Sequence, residues 1–540
     1  MSRAELASLD EMTARLERAL AASTADSTEI VWIETRRTQV AAGRGRRDAG
    51  RAAGPGGRAP CERNLLVRVR QSGRTGLHRT GGVEPSELEN AVRDALAQAR
   101  LAPVTPAEAL AGAGERRGAA ALAATAAAAA ASGPQGAGAT AATAAAAGQG
   151  GSGPGPGRGD AIYDPELAEL DAVRARALLE GAAERGELLR LAWLEGRVTV
   201  ANSAGLRQAA RVTAASFEAS CGRGPGAGRA TGAARRLDAL YFHDTLDRAR
   251  ARHAAAPAGA GGNGGDNPAA AGSGAGGPSD ASGPNGPSEA SEPSGDSGPG
   301  REGDGGAAEA GAAAALLAGL PMVLSEQSVA ALIALLNRHA LSAAAQRDPG
   351  CRLRGKLGES VLASCLSLRD DGTDPRALPF PFDLAGWPKR QVDLVVAGVF
   401  ATPAVDARLA AEIGRPPTPH GMAPDESIAA NLLLLPGDRE PLPEAELLRQ
   451  ADDGIWIGAL DGLECFDPGR LRFRARARGV RRIAGGALGP PLPDFPWEDD
   501  LQAALSRAAA LGDRPATIAT GDMLFGATAA PLLALRAAER

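Results

Sequence analysis

No Cys-x-x-Cys pair occurs in this 540-residue chain, whose cysteines are only five, Cys61, Cys221, Cys351, Cys365 and Cys465. An odd, widely spaced set supports neither a disulfide framework nor a zinc knuckle and fits a reducing cytoplasm. A global positive charge is missing too: formal net charge is −5. Without such a field nothing attracts phosphates generally, which argues against a nucleic-acid-binding or membrane-surface role. The segment Met1–Glu5 begins an amphipathic acidic and basic helix rather than a charged leader with an apolar core, so no secretory signal is expected. The alanine-rich run 119–131 falls well short of the roughly 20 apolar residues that span a bilayer. Gly-x-Ser-x-Gly and Gly-x-x-x-x-Gly-Lys-Ser/Thr are both absent, which removes support for those hydrolase and nucleotide-binding classes. Lysine is almost absent: Lys356 and Lys389 are the only two among 59 basic residues, a bias we attribute to coding composition.

What is present divides into packing and non-packing sequence. The 71 glycines and 38 prolines concentrate in tracts. Residues 104–160 form an Ala/Gly/Pro-rich low-complexity insertion, and 255–315 a Gly/Ser/Asn/Pro-rich linker, both expected to be disordered because they offer little to bury. Residues 1–103 and 161–254 then make one α+β domain, and 316–540 a β-rich domain with peripheral helices. If the second tract replaces a loop of about seven residues, its closure costs only roughly 2 kcal/mol, which a folded core tolerates.

Alternation predicts strands over 29–40 and 64–70, with Leu65, Val67 and Val69 on one face, a turn at Ser72-Gly73 and continuation over 75–80. Leu88, Ala91, Val92, Ala95, Leu96 and Ala99 recur at helical spacing between Pro85 and Pro103. A helix opens at Asp164-Pro165-Glu166, and a hairpin turns at Asn202–Gly205 into a strand over 211–221. Further on, Ser325 is the expected N-cap of a helix with Glu326 in its first turn. Residues 392–400 and 455–460 read as buried strands and 501–511 as a helix. Over 470–478 arginines alternate with Leu471, Phe473, Ala475 and Ala477, a pattern that puts a solvated basic face opposite an apolar one.

Several segments, in order, resemble the TldD/PmbA family. They are the paired strands and helix ending at Ala99–Pro103, then Tyr163–Leu167, Ala201–Leu206, Leu320–Ser325, Pro381-Phe382-Asp383, Ala430–Gly437 and Gly454–Gly458. The resemblance implies a cytoplasmic two-domain protein that pairs with a related subunit to form a peptidase acting on unfolded polypeptides in an enclosed cavity. One branch carries His-Glu-x-x-x-His on the helix after Ser325. Its two histidines and a cysteine near the C-terminus hold zinc, and its Glu acts on the metal-bound water. With His339 as second histidine, His and Glu would have to stand at 334 and 335, where this chain has Ala334 and Leu335. The corresponding terminal stretch, 514–521, has no cysteine, and Phe382-Asp383-Leu384-Ala385-Gly386 lacks the acid of the family's Phe-Asp-x-Glu-Gly.

The resemblance therefore implies a PmbA/TldE-like, non-catalytic subunit that binds no cofactor itself, with zinc carried by a TldD-like partner. Catalytic zinc needs three protein ligands. One histidine, taking about a quarter of the roughly 10–16 kcal/mol of a structural site, holds zinc only at about millimolar affinity. The bland reading of His339 is a helix-end histidine at the negative terminus. Asn202, Gly205, His339 and Asn431 are the structural or cavity candidates. A self-sufficient peptidase would need a relocated metal site, for which His339, His420 and Cys465 are the available set. The bland alternatives are an exposed loop histidine for His420 and a small buried residue near a turn for Cys465. A third class is a metal-free scaffold or regulator of DNA-associated proteins. Asp370-Asp371 reads as an acid pair in a turn. The arginines at 44, 46, 47, 51 and 58 read as a solvated loop, and those between 472 and 482 as a solvated sheet face or a cavity lining; neither group has the interleaved aromatics of a single-strand track.

Overall fold

The computed structural model describes residues 6–43, 60–105, 162–222, 226–254, 317, 319–423 and 426–538. The arginines at 44, 46, 47, 51 and 58, and almost all of the two low-complexity tracts, lie outside them.

The first part of the chain is one antiparallel sheet with helices against it. Helix α1 (Leu9–Ala21), N-capped by Ser8, precedes β1 (Ser27–Ala42), β2 (Cys61–Gln71), β3 (Arg74–Thr80) and α2 (Pro85–Leu101). Two helices, α3 (Pro165–Ala168) and α4 (Ala172–Ala182), lead into β4 (Glu187–Asn202), β5 (Arg207–Cys221), β6 (Gly228–Ala234) and α5 (Phe242–Ala254). The strand order is β3-β2-β1-β4-β5-β6. Because side chains alternate across a strand, Ile30, Trp32, Leu65, Val67 and Val69 share a face, and that face packs on Met12 and Leu16 of α1 and Leu88, Val92 and Ala95 of α2.

The C-terminal half is β-rich. It begins with β7 (Met322–Leu324) and α6 (Glu326–Leu336), and continues through β8 (Leu366–Asp371), β9 (Gln391–Val396), β10 (Val399–Phe400), α7 (Ala407–Ile413), β11 (Gly421–Ala423), β12 (Glu426–Ser427) and β13 (Leu432–Pro436). Then come α8 (Glu444–Gln450), β14 (Ile455–Ile457), β15 (Ala459–Asp467), β16 (Arg472–Arg478), β17 (Arg481–Ala484), β18 (Ala487–Pro491), β19 (Phe495–Asp500), α9 (Leu501–Ser506), β20 (Ala508–Leu511), β21 (Ala516–Ile518), β22 (Thr528–Ala530) and β23 (Leu533–Leu535). Two six-stranded sheets, β10-β9-β8-β13-β22-β21 and β18-β17-β14-β7-β23-β20, enclose a core that includes one side of α6.

Three expected elements are divided. Residues 392–400 form a hairpin, because Ala397 and Gly398 take φ of 44° and 79°, the left-handed pair of a two-residue turn. The strand expected over 455–460 breaks at Gly458, where the chain leaves β14 and enters β15 of a separate three-stranded sheet. The helix expected over 501–511 ends at Ser506. Alanine's helix preference in 508–510 yields to ladder pairing with Leu533–Leu535.

The two halves share a core. Val31, Leu194, Val198 and Val200 of the first sheet pack with Leu378, Phe380, Phe382, Leu433 and Leu524. Beside them Arg235 is buried, and its donors are met by carbonyls alone: Nε by Pro379, Nη1 by Thr213 and Met523, Nη2 by Leu378 and Leu524. A buried guanidinium tolerates that environment because each N–H finds an acceptor. Among the described residues no helix is long and apolar enough to cross a membrane.

Candidate functional site

Ser325 caps α6 as its sequence suggests, its Oγ accepting from the Ser328 N–H at 3.2 Å and donating to the Gly458 carbonyl at 2.7 Å. Val329, Ala330, Leu332, Ile333 and Leu336 bury the opposite side, leaving Ala334, Leu335, Arg338 and His339 on the accessible face. From Asn337 to Leu341 the helix widens into a π-turn. The widening matters for spacing. In a regular helix residues five apart diverge by about 140°, whereas a π-turn, with its i→i+5 bonds, brings them towards one face. The widening begins only at Asn337 and so covers the last part of the 334–339 interval, and 334 and 335 contribute a methyl and an isobutyl group. Burial, then the Arg338 charge, lowers the His339 pKa. Residues 514–521 contribute the short β21 and no thiol. This donor set does not fit a catalytic zinc. Among the described residues no three His, Cys, Asp or Glu side chains are grouped to hold a metal.

His339, His420 and Cys465 are not brought together. Cys465 lies half-buried on β15 opposite Phe473, where burial pushes its thiol pKa up. His420 belongs to another cluster. Its Nδ1 lies 2.6 Å from Thr418 Oγ1 and its Nε2 3.2 Å from Asp370 Oδ2, although Nε2 completes no hydrogen bond in that orientation. Lys389 Nζ donates to the same Asp370 oxygen at 3.2 Å, while Oδ1 accepts from the Ala430 and Asn431 N–H groups at 2.9 and 2.8 Å. Asp370, Lys389 and His420 are all inaccessible to solvent.

This overturns two expectations. Asp370 is not a turn residue but lies buried near the end of β8, while Asp371 opens the turn that follows, its Oδ1 accepting from the Thr373 N–H at 2.9 Å; and His420 is not an exposed loop residue. Alternation along β8 turns Asp370 towards the core, where a carboxylate persists only because a cation and two amides meet it. Burial pushes the Asp370 pKa up, but Lys389, His420 and the Asn431 N–H outweigh it and hold the carboxyl far below its ordinary value. For His420, burial dominates the pull of Asp370 and lowers its pKa. Asn431 completes the cluster: its Oδ1 accepts from the Leu378 N–H at 2.7 Å and its Nδ2 donates to the Asp371 carbonyl at 2.6 Å. Lys389 gave no signal in the sequence beyond being one of two lysines.

Asn202 and Gly205 shape the β4–β5 turn. Asn202 Oδ1 accepts from the Ala204 and Leu206 N–H groups at 3.0 and 3.1 Å, and Gly205 takes φ 85°. This turn meets the loop after Phe382. Gln208 Nε2 donates to the Gly386 carbonyl at 3.1 Å, and a Cβ on Gly386, at φ 83°, would stand 1.9 Å from Leu206 Cδ2. Within the loop, Asp383 accepts from the Ala385, Trp387 and Gly421 N–H groups at 3.0, 2.9 and 2.9 Å. Burial pushes its pKa up to about 7 against those donors and Lys389. Two segments that looked alike in importance, Ala201–Leu206 and Pro381–Asp383, are thus neighbours.

The arginine strand is ion-paired rather than poised for phosphate. Arg474 pairs with Glu464, and Arg478 with Asp461 and Asp494, the latter two at 2.9 Å each. Arg472 and Arg474 lie over the Phe466 ring. Arg481 departs from the expected solvated face: it is buried and donates to the Arg252 carbonyl at 2.7 Å and to the Gly489 carbonyl.

Residues 318–539 match the family model described as the PmbA/TldA metallopeptidase C-terminal domain. No curated protein matches the chain in sequence. Solved structures that share the fold include a candidate modulator of a DNA gyrase from Thermotoga maritima, at 16% identity and a TM-score of 0.63 over 98% of this chain and 99% of that one. TldE from Thermococcus kodakarensis aligns at 14% identity and a TM-score of 0.64 over 97% and 99%. A candidate modulator of DNA gyrase from Bacteroides thetaiotaomicron gives 14% and 0.61 over 98% and 97%.

Proposed function

We propose that this chain, whose residues 318–539 match the PmbA/TldA metallopeptidase C-terminal domain model, is a TldE-like, non-catalytic subunit of a zinc peptidase acting on unfolded polypeptides. The observation that carries the reading is the accessible face of α6 and the turn after it, which presents His339 but offers Ala334 and Leu335 where a metal ligand and a general base would stand. A partner with an intact His-Glu-x-x-x-His supplies the zinc, and this chain supplies walls and contacts. The likeness to TldE supports the choice of branch. The free state of all five cysteines suits a reducing cytoplasm, where the complex would work.

The test combines two measurements on the metal-replete chain, alone and after co-expression with a chain carrying the intact motif. We expect near-zero zinc and no hydrolysis of an unfolded polypeptide alone, and partner-dependent hydrolysis in the mixture. Tightly held, near-stoichiometric zinc in the isolated chain would sink the subunit reading in favour of a self-sufficient enzyme. Partner binding without hydrolysis in any combination would instead support a metal-free regulator, the role suggested by the descriptions of the gyrase-modulator structures.

A further inference from the structure

Between the first sheet and the C-terminal loops runs a cleft of about 440 Å³. That volume lies within the range of roughly 300–1,000 Å³ in which proteins bind small ligands. Its floor is the face of β1 and β2 opposite the helices, with Ile33 and Leu66 exposed to it, and its apolar wall is Leu384, Met422 and Phe525. Arg37 Nη2 donates to Asp522 Oδ2 at 2.8 Å across one side, fastening the sheet to the loop that carries Phe525.

The polar groups of the cleft are not all satisfied in this way. Glu62 and Arg79 both line it, both are exposed, and neither has an ion-pair partner among the described residues. Their placement is set by strand register. Glu62 lies opposite Thr35 on β1, and Arg79 lies opposite Leu66 on β2. Since Glu62 and Leu66 are four positions apart on β2, the two charges sit about 14 Å apart along the strand, with Asn64 and its neighbour Ile33 between them and Leu66 beside Arg79. An anion at one end, a cation at the other, and an amide beside apolar side chains between them complement a short peptide zwitterion in extended form. Four extended residues span at most about 14 Å.

We propose that this cleft binds the free ends of a short oligopeptide of about four residues, its α-ammonium at Glu62, its α-carboxylate at Arg79 and its central apolar side chains on Ile33, Leu66 and Phe525. The inference rests on the peptide-handling reading above and deepens it: the subunit would hold short peptides, substrate ends or products, rather than act only as a wall. Capped peptides lack both terminal charges and lose the pairing at each end.

The experiment is calorimetric titration of the full chain, without a partner, with a free-ended tetrapeptide of leucine and alanine and with its acetylated, amidated counterpart. We expect the free-ended peptide to bind at least tenfold more tightly, and Glu62→Gln and Arg79→Gln each to remove most of that preference. Both substitutions are on exposed side chains, and circular dichroism verifies that the variants fold. Equal binding of the two peptides, unchanged preference in both variants, or no binding of either peptide would overturn the proposal. These outcomes are independent of partner capture: hydrolysis in the mixture without tetrapeptide binding removes only this site, whereas tetrapeptide binding by the chain together with no partner-dependent hydrolysis in any mixture removes only the subunit assignment.

Discussion

Arg252 Nη2 donates to both carboxylate oxygens of Glu326, at 2.9 and 2.8 Å, tying the last turn of α5 to the first turn of α6. Both side chains are nearly inaccessible. Arg248 adds a bond to Glu326 at 3.0 Å, and the Arg252 guanidinium lies 4.9 Å from the Trp456 ring centroid. Removing Arg252 leaves the buried Glu326 carboxylate only the partly exposed Arg248 as counter-ion. Arg252→Ala should therefore destabilise the protein towards the lower end of the about 3–5 kcal/mol that breaking a buried pair costs. A combined Arg252→Met, Glu326→Leu variant should lose much less, because it removes both charges. Urea unfolding of the single and double variants measures the difference.

The same pair gives a pH dependence. Burial pushes the Glu326 pKa up, but Arg252 and Arg248 outweigh it and hold it below the ordinary carboxylate value. A depressed carboxyl contributes its stability above the unfolded pKa and loses it as pH falls through the folded one. Glu326→Gln should accordingly flatten the acid limb of the stability profile below about pH 4.5.

His420 acts in a higher window. Its folded pKa lies below 6.5, so the unfolded chain takes up the proton first and stability declines as pH falls through that value. Asp383 has the opposite sign, because its pKa is raised to about 7 and the folded state binds the extra proton: its contribution falls as pH rises from about 4 to 7. Unfolding titrations of His420→Gln between pH 5 and 7 should show a shallower loss towards acid than the parent protein.

Gly386→Ala tests the junction between the β4–β5 turn and the Asp383 loop. An alanine at φ 83° is strained, and its methyl would collide with Leu206 Cδ2 at 1.9 Å. We expect a loss of about 2–5 kcal/mol, combining left-handed backbone strain with overpacking. Leu206→Ala in the same chain should recover part of the overpacking component, read as a rise in the thermal midpoint over Gly386→Ala alone.

Ala334→His combined with Leu335→Glu tests whether the π-turn aims positions 334 and 339 together. Two histidines, each worth roughly 3–4 kcal/mol, should bring zinc affinity from about millimolar to roughly ten micromolar. Competition against a chromogenic chelator measures it. Affinity unchanged from the parent would mean that the widened turn does not bring the two side chains to one point.

Ser325, Ala334, Leu335 and His339 were legible as a capped helix without a metal-binding register, because capping and helical spacing are local properties. The strands of the first sheet and the alternation of 472–478 were legible for the same reason, since each face repeats every second residue. Residues 501–511 were misread because alanine's local preference is weaker than the ladder offered by Leu533–Leu535, which lies beyond any local window.

By itself the sequence determined which face of each local element is apolar, and that the helix after Ser325 carries no donor at 334 or 335. Only the tertiary structure decided that Asp370 meets Lys389 and His420, that Glu326 meets Arg252, that Leu206 occupies the space left by Gly386, and that Glu62 and Arg79 flank one cleft. The physical reason is that a buried charge is tolerated only where its hydrogen-bonding partners meet it, and for these two carboxylates those partners include a distant cation. That cation is supplied by a residue 19 positions away for Asp370 and 74 away for Glu326, and no periodicity in the chain encodes such a meeting.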